Sequence, residues 1–229
     1  MPRKSIIRDD LAYMLPMGVF LLLIAAGGFL GTDTPAGNTA YPWAYAARAI
    51  IVAALLIVLW PAYTKIRWNH WWLGLIVGVI GIFQWVGMQL FLQQFEFFKP
   101  KGIAFNPDEF FSAPAAWWAF VVIRIFGAVL VVPVMEELFW RDFTWRTIIA
   151  PNDFKLAKVG EWDWKAFLLV PLAFSLVHGG WWATSIVWAL MIGGLLAYTR
   201  SIGACIIAHA TTNLLLALYV LKTKQWFFW

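Results

Sequence analysis

The chain has 229 residues, 62% of them hydrophobic and 13% charged, with a mean hydropathy of +0.74. A soluble domain is nearer half apolar and a quarter charged, so this composition excludes a soluble globular fold and indicates an all-α, polytopic transmembrane bundle. The formal net charge of +5 is dispersed between apolar runs, which argues for membrane orientation rather than a nucleic-acid partner, and the single cysteine, Cys205, rules out an internal disulfide.

Seven apolar segments follow in chain order, over roughly 11–30, 45–62, 72–92, 115–139, 165–180, 182–199 and 202–221. Together they make a single integral membrane domain over 1–229, and an eighth segment would reverse the C-terminus. The first is preceded by Arg3, Lys4 and Arg8 in the manner of a signal peptide. Its apolar run is too long for an h-region, and Asp9 and Asp10 are out of place there, so a retained helix is expected. The third contains Gly74 and Gly78, a spacing that serves close helix packing, and Gln84 and Gln89, which are expected to bond across helices.

Residues 93–114 carry Phe95, Phe97, Phe98, Phe110 and Phe111 among charges, an interfacial and partly helical pattern. Residues 142–164 mix Trp145, Trp162 and Trp164 with Lys155 and Lys158 and read the same way. The pairs Trp71-Trp72, Trp117-Trp118 and Trp181-Trp182, and the terminal Trp226-Phe-Phe-Trp229, fit aromatic belts at the membrane surfaces. Cys205 is expected against a helix neighbour. No internal repeat of the kind found in secondary transporters is present.

Loop charges set the orientation. With the N-terminus in the cytoplasm, the inner side carries Arg3, Lys4, Arg8, Lys65, Arg67, Arg146, Lys155, Lys158, Lys165 and Arg200, and the outer side only Lys99, Lys101, Lys222 and Lys224.

The fourth segment holds the chemistry. Glu136 and Glu137 sit in Val131-Val-Pro-Val-Met-Glu-Glu-Leu-Phe-Trp-Arg141, where each ionised group at bilayer depth costs about 2.5–3.5 kcal/mol. Helical spacing lets Glu137 pair with Arg141, while Glu136 points about 100° away. Phe174 and His178 share a face of the fifth segment, and His209 and Asn213 share one of the seventh. These groups suit hydrolysis. A buried glutamate can take a proton from water, a histidine can hold that water or protonate the leaving amine, and a His–Asn pair can stabilise an oxyanion. No serine or cysteine lies in a nucleophile motif, so water is the expected nucleophile. A zinc held by Glu136, His178 and His209 is the competing arrangement, although no H-E-x-x-H is present. Arg124, mid-span, could snorkel, pair with a carboxylate or meet a substrate's C-terminal carboxylate.

Glu136-Glu137-x-x-x-Arg141, Phe174-x-x-x-His178 and His209-x-x-x-Asn213 together resemble, in order, the three motifs of the CAAX-protease and bacteriocin-processing family of intramembrane endopeptidases. The resemblance covers 131–215 and implies a family core of about 115–221. It implies that Glu136 activates water with His178, that His209 and Asn213 form the oxyanion site, and that Glu137 and Arg141 shape it. Phe174 falls beside the substrate, and no cofactor is implied, with zinc the alternative. Tyr41-Pro42, Phe139-Trp140-Arg141 and the Trp226–Trp229 ending are similar to the bacterial branch that accompanies exosortase and PEP-CTERM sorting. That implies a bacterial inner membrane and a peptide or protein substrate of the cell envelope. A non-catalytic immunity or assembly factor on the same fold is the alternative function, and a proton-coupled carrier a third.

One geometric demand follows. In simple crossings Glu136 lies near the inner end of its span and His178 near the outer end of the next. They can meet if the Glu136 helix runs past Arg141 into the Trp145 region, to about residue 148, and the fifth starts before lipid begins.

Overall fold

A computed structural model describes residues 6–30, 40–99 and 104–229, with side chains from residue 9 onward. Seven apolar helices occupy the seven expected segments: α1 (Ile6–Phe29), α2 (Tyr41–Leu59), α3 (Trp71–Leu92), α4 (Pro114–Ile149), α5 (Trp164–Leu176), α6 (Trp182–Thr199) and α7 (Ile202–Thr223). Six are long and apolar enough to cross a membrane, and α5, at 13 residues, is the short one. No strand and no eighth apolar helix occur among the described residues.

Small residues fix the central pair. A Cβ on Gly74 would sit 2.5 Å from the Ala204 carbonyl oxygen, and one on Gly78 would sit 2.6 Å from both the Ala208 carbonyl oxygen and Thr211 Cβ. Contacts rise in step along both helices, so α3 and α7 run parallel with backbones in near contact, as the glycine spacing implied. Thr212 Oγ1 lies 3.0 Å from the carbonyl oxygens of Gly78 and Ala208, closing the seam with a hydroxyl. Gln84 and Gln89 reach Thr184 on α6, as expected, at 3.1 and 2.8 Å. Cys205 is buried against Ile192 of α6.

α4 departs from the expected 115–139. It is one continuous helix of 36 residues that runs on to Ile149, interrupted by two π-helical stretches, Gly127–Val131 and Leu138–Thr144. The extension that the chemistry demanded is therefore present, and the following loop begins at 150 rather than 142. Trp145 is correspondingly not interfacial. It is fully buried, donating its indole N–H to the Glu161 carbonyl at 2.9 Å. Trp162 and Trp164 do remain exposed. The terminal aromatics also differ from a free belt, because Trp226 and Phe228 are buried and Phe228 packs on Trp181 at 5.2 Å. Residues 93–99 and 104–113 hold a 3₁₀ turn, Glu96–Phe98, and a one-turn helix, Pro107–Phe110, matching the partly helical expectation.

The cations segregate. The Arg67 carbonyl accepts from Gly203 N–H at 3.0 Å and from the Ser201 hydroxyl at 2.7 Å, and Arg146 Nε donates to the Ala157 carbonyl at 2.9 Å. These bonds gather Lys65, Arg67, Arg146, Lys155, Lys158 and Arg200 at one end of the bundle, the basic end. Lys99, Lys222 and Lys224 lie at the other. Arg3, Lys4, the Arg8 side chain and Lys101 fall outside the described residues.

Candidate active site

The depth of the site comes from helix lengths. Glu136 is 13 residues from Ile149, the basic end of α4, and His178 is 14 residues from Trp164, the basic end of α5. At 1.5 Å per residue both lie about 20 Å from that end. α5 is too short for a bilayer core of roughly 30 Å, so it releases His178 at the level where α4 carries Glu136. The chain then turns through Gly179–Trp181 and returns as α6.

A cavity of about 120 Å³ forms there, and Glu136, Phe174, His178, His209 and Asn213 line it together. Trp85, Val132, Trp188, Thr212 and Leu216 complete the wall. Glu136 is buried, and among the described residues its inner oxygen, Oε2, has no hydrogen-bond partner.

Partners fix both imidazoles. His178 Nδ1 lies 2.7 Å from the Phe174 carbonyl oxygen. A carbonyl only accepts, so Nδ1 carries the proton and the Nε2 lone pair is free in the neutral ring. Phe174 also stacks on this ring at 4.1 Å, which holds its plane. His209 Nδ1 lies 2.8 Å from Glu137 Oε1, again making Nδ1 the donor. Nε2 of His209 therefore donates only when the ring is an imidazolium. Trp188 braces it edge-on at 4.6 Å.

Glu137 and Arg141 stand behind the cavity. Both are fully buried, with Arg141 Nε 3.2 Å from Glu137 Oε2. That contact is ionic rather than a well-aligned hydrogen bond, since neither Oε2 nor the two terminal guanidinium nitrogens has a hydrogen-bond partner among the described residues. The guanidinium instead lies over the faces of Phe174, at 4.8 Å, and Trp188, at 5.5 Å. The same two rings thus contact both Arg141 and the histidines, Phe174 stacking on His178 and Trp188 meeting His209 edge-on.

Asn213 has a second task. Val132 N–H donates to the Gly127 carbonyl in the π register, so it is not available to Ala128. The donor that the π register would offer Ala128 belongs to residue 133, which is proline and has none. The Ala128 carbonyl is left over, and Asn213 Nδ2 meets it at 2.7 Å. One amide hydrogen is thereby committed, and the other, with Oδ1, remains for the cavity.

Arg124 is the expected residue that the cavity does not include. Its guanidinium lies 4.3 Å from the centre of the Tyr45 ring, nearer the other end of α4. Trp85 and Trp188 line the cavity, whereas belt placement accounts for indoles only at membrane surfaces. The available signal was position, since both fall inside segments rather than at their ends. As for a metal, no group of three His, Cys, Asp or Glu side chains among the described residues is close enough to hold one. Glu136, His178 and His209 share a cavity without forming a ligand set, and His209 Nδ1 is already taken by Glu137.

Residues 116–215 match the family described as type II CAAX prenyl endopeptidase Rce1-like. The match spans all three motifs, and over this stretch the chain is similar to that family. No curated protein and no solved structure matches the chain.

Proposed function

We propose that the chain is an intramembrane endopeptidase in which Glu136, with His178, activates water for attack on a peptide bond. Glu136 accepts a proton from a water in the cavity while His178 Nε2 orients that water. Hydroxide adds to the carbonyl carbon, and the oxyanion accepts hydrogen bonds from the free Asn213 N–H and from Nε2–H of an imidazolium His209. With Glu137 and Arg141 cancelling, an ionised Glu136 and a charged His209 leave the site neutral, which suits a buried location. Glu136 then passes its proton to the departing amine and the bond breaks. No step uses a metal.

The observation that carries this reading is the cavity that Glu136, His178, His209 and Asn213 line together. The family match supports peptide-bond chemistry. The charge segregation supports a cytoplasmic N-terminus and a cytoplasmic basic end. The motif outside the family core supports a substrate of the bacterial cell envelope.

The test is Glu136→Gln in purified full-length protein, with cleavage of candidate membrane peptides followed by mass spectrometry. Volume and hydrogen bonding are kept and only the base is lost, so the rate should fall roughly 10²–10⁴-fold while the protein still inserts. Undiminished cleavage refutes the assignment of Glu136. A cellular phenotype that survives the change favours the non-catalytic assembly role instead.

A further inference from the structure

A second cavity, of about 670 Å³, lies at the basic end, between the α2–α3 loop, the end of α4, the α4–α5 loop and the start of α7. Its wall contains six cations, Lys65, Arg67, Arg146, Lys155, Lys158 and Arg200, and no acidic side chain. Orientation in a membrane asks only that cations be on one side; it does not ask that they converge from four stretches of chain on one concavity. Two of the six are already paired. Arg146 bonds Asp142 within α4, and Lys155 lies 2.8 Å from Asp9. The remaining four, Lys65, Arg67, Lys158 and Arg200, are exposed and make no ion pair among the described residues.

The cavity is also built to persist. Gly160 adopts φ +66°, and a Cβ there would lie 2.5 Å from the Leu196 carbonyl oxygen and 2.9 Å from Arg200 Cα, so the α4–α5 loop is docked tightly on the end of α6. Arg146 is buried, with its guanidinium held by Asp142, Thr64 and the Ala157 carbonyl. This fixes the floor. The level is that of a membrane surface, since Trp60, Trp68, Trp162 and Trp164 at this end are all exposed.

We propose that this cavity binds a phosphate-bearing anion, and that its natural occupant is the headgroup of an anionic phospholipid. Four unpaired cations around a preformed hollow at headgroup depth are matched by one or two phosphates, and the adjacent exposed Leu156 offers an apolar surface to the lipid's acyl side.

The experiment compares full-length protein with a Lys65→Gln/Arg67→Gln/Lys158→Gln variant, with Lys222→Gln at the opposite end as a control. All three are placed in nanodiscs of phosphatidylcholine alone or with phosphatidylglycerol, and retained lipid is counted by native mass spectrometry. A thermal melt in phosphatidylcholine verifies that the variant is folded. The wild type should retain phosphatidylglycerol selectively. The triple variant should lose that selectivity on the order of 100-fold, at about five-fold per cation, while the control keeps it. A parallel arm offers pyrophosphate in place of lipid. Saturable pyrophosphate binding that the triple variant abolishes, without lipid selectivity, keeps the phosphate site and makes its source soluble. Equal retention of both lipids with no pyrophosphate binding overturns the proposal, as does selectivity that the triple variant retains.

Discussion

The buried pair behind the cavity makes the most exacting test of how the site is held. Consider Glu137→Gln. Arg141 is fully buried and loses the carboxylate 3.2 Å from its Nε. At an effective dielectric of 20, charges at that distance attract by about 5 kcal/mol. Phe174 and Trp188 face the guanidinium in both proteins, so their contribution cancels from the difference. The expected destabilisation is about 3–5 kcal/mol, the range that removal of one buried ion partner costs. Arg141→Met should cost less, because Glu137 keeps His209 2.8 Å away as a partner. The double variant removes both charges and should be more stable than Glu137→Gln alone. The assay is reversible unfolding of all four proteins in mixed detergent micelles, read as a double-mutant cycle. Additive single effects, or a Glu137→Gln protein as stable as wild type, would refute the reasoning that Arg141 depends on Glu137 for its charge balance.

Other expectations follow from single contacts. Gly78→Ala places a methyl 2.6 Å from backbone and side-chain atoms of α7 and should destabilise by about 1–3 kcal/mol, whereas Gly87→Ala, with nothing within 4 Å, should leave the melting temperature unchanged. Asn213→Leu orphans the Ala128 carbonyl, a loss of about 1–3 kcal/mol, and removes an oxyanion donor. Adding Pro133→Ala restores a backbone donor, so Asn213→Leu/Pro133→Ala should recover thermal stability in the same melt but not peptide cleavage. Trp145→Phe loses the indole bond to Glu161 and should lower stability by about 0.5–1.5 kcal/mol without moving the cleavage rate of the folded enzyme.

What the sequence could show was whatever depends on composition and helical period. The seven apolar segments, the Gly74–Gly78 seam, the Glu137–Arg141 pair and the common face of His209 and Asn213 all follow from spacing along one helix, and each recurs in the structure. Local hydropathy misled where polarity is paired at a distance. Arg141, Asp142 and Arg146 made the end of α4 look like a loop, yet Glu137 neutralises the first, and Tyr13 and Thr64 join the other two in a buried network. Trp145 resembles a surface anchor in sequence for the same reason, its partner being the Glu161 carbonyl.

The π stretches were illegible for a deeper reason. Nothing in Gly127–Val131 or Leu138–Thr144 differs in hydrophobic pattern from an α-helix. In Gly127–Val131 the register is supported because Pro133 withholds one donor and an asparagine from another helix supplies it. That arrangement ties the backbone of α4, just ahead of Glu136, to the side chain from α7 that is assigned to the oxyanion. A helix with regular α hydrogen bonding would have no spare carbonyl at residue 128 to anchor that amide. The wide turn is therefore part of how the site is aligned, in keeping with the tendency of π-bulges to occur at functional positions. It also explains why the Asn213→Leu/Pro133→Ala pair can separate the two roles: backbone satisfaction can be restored locally on α4, whereas the donor facing the cavity can come only from α7.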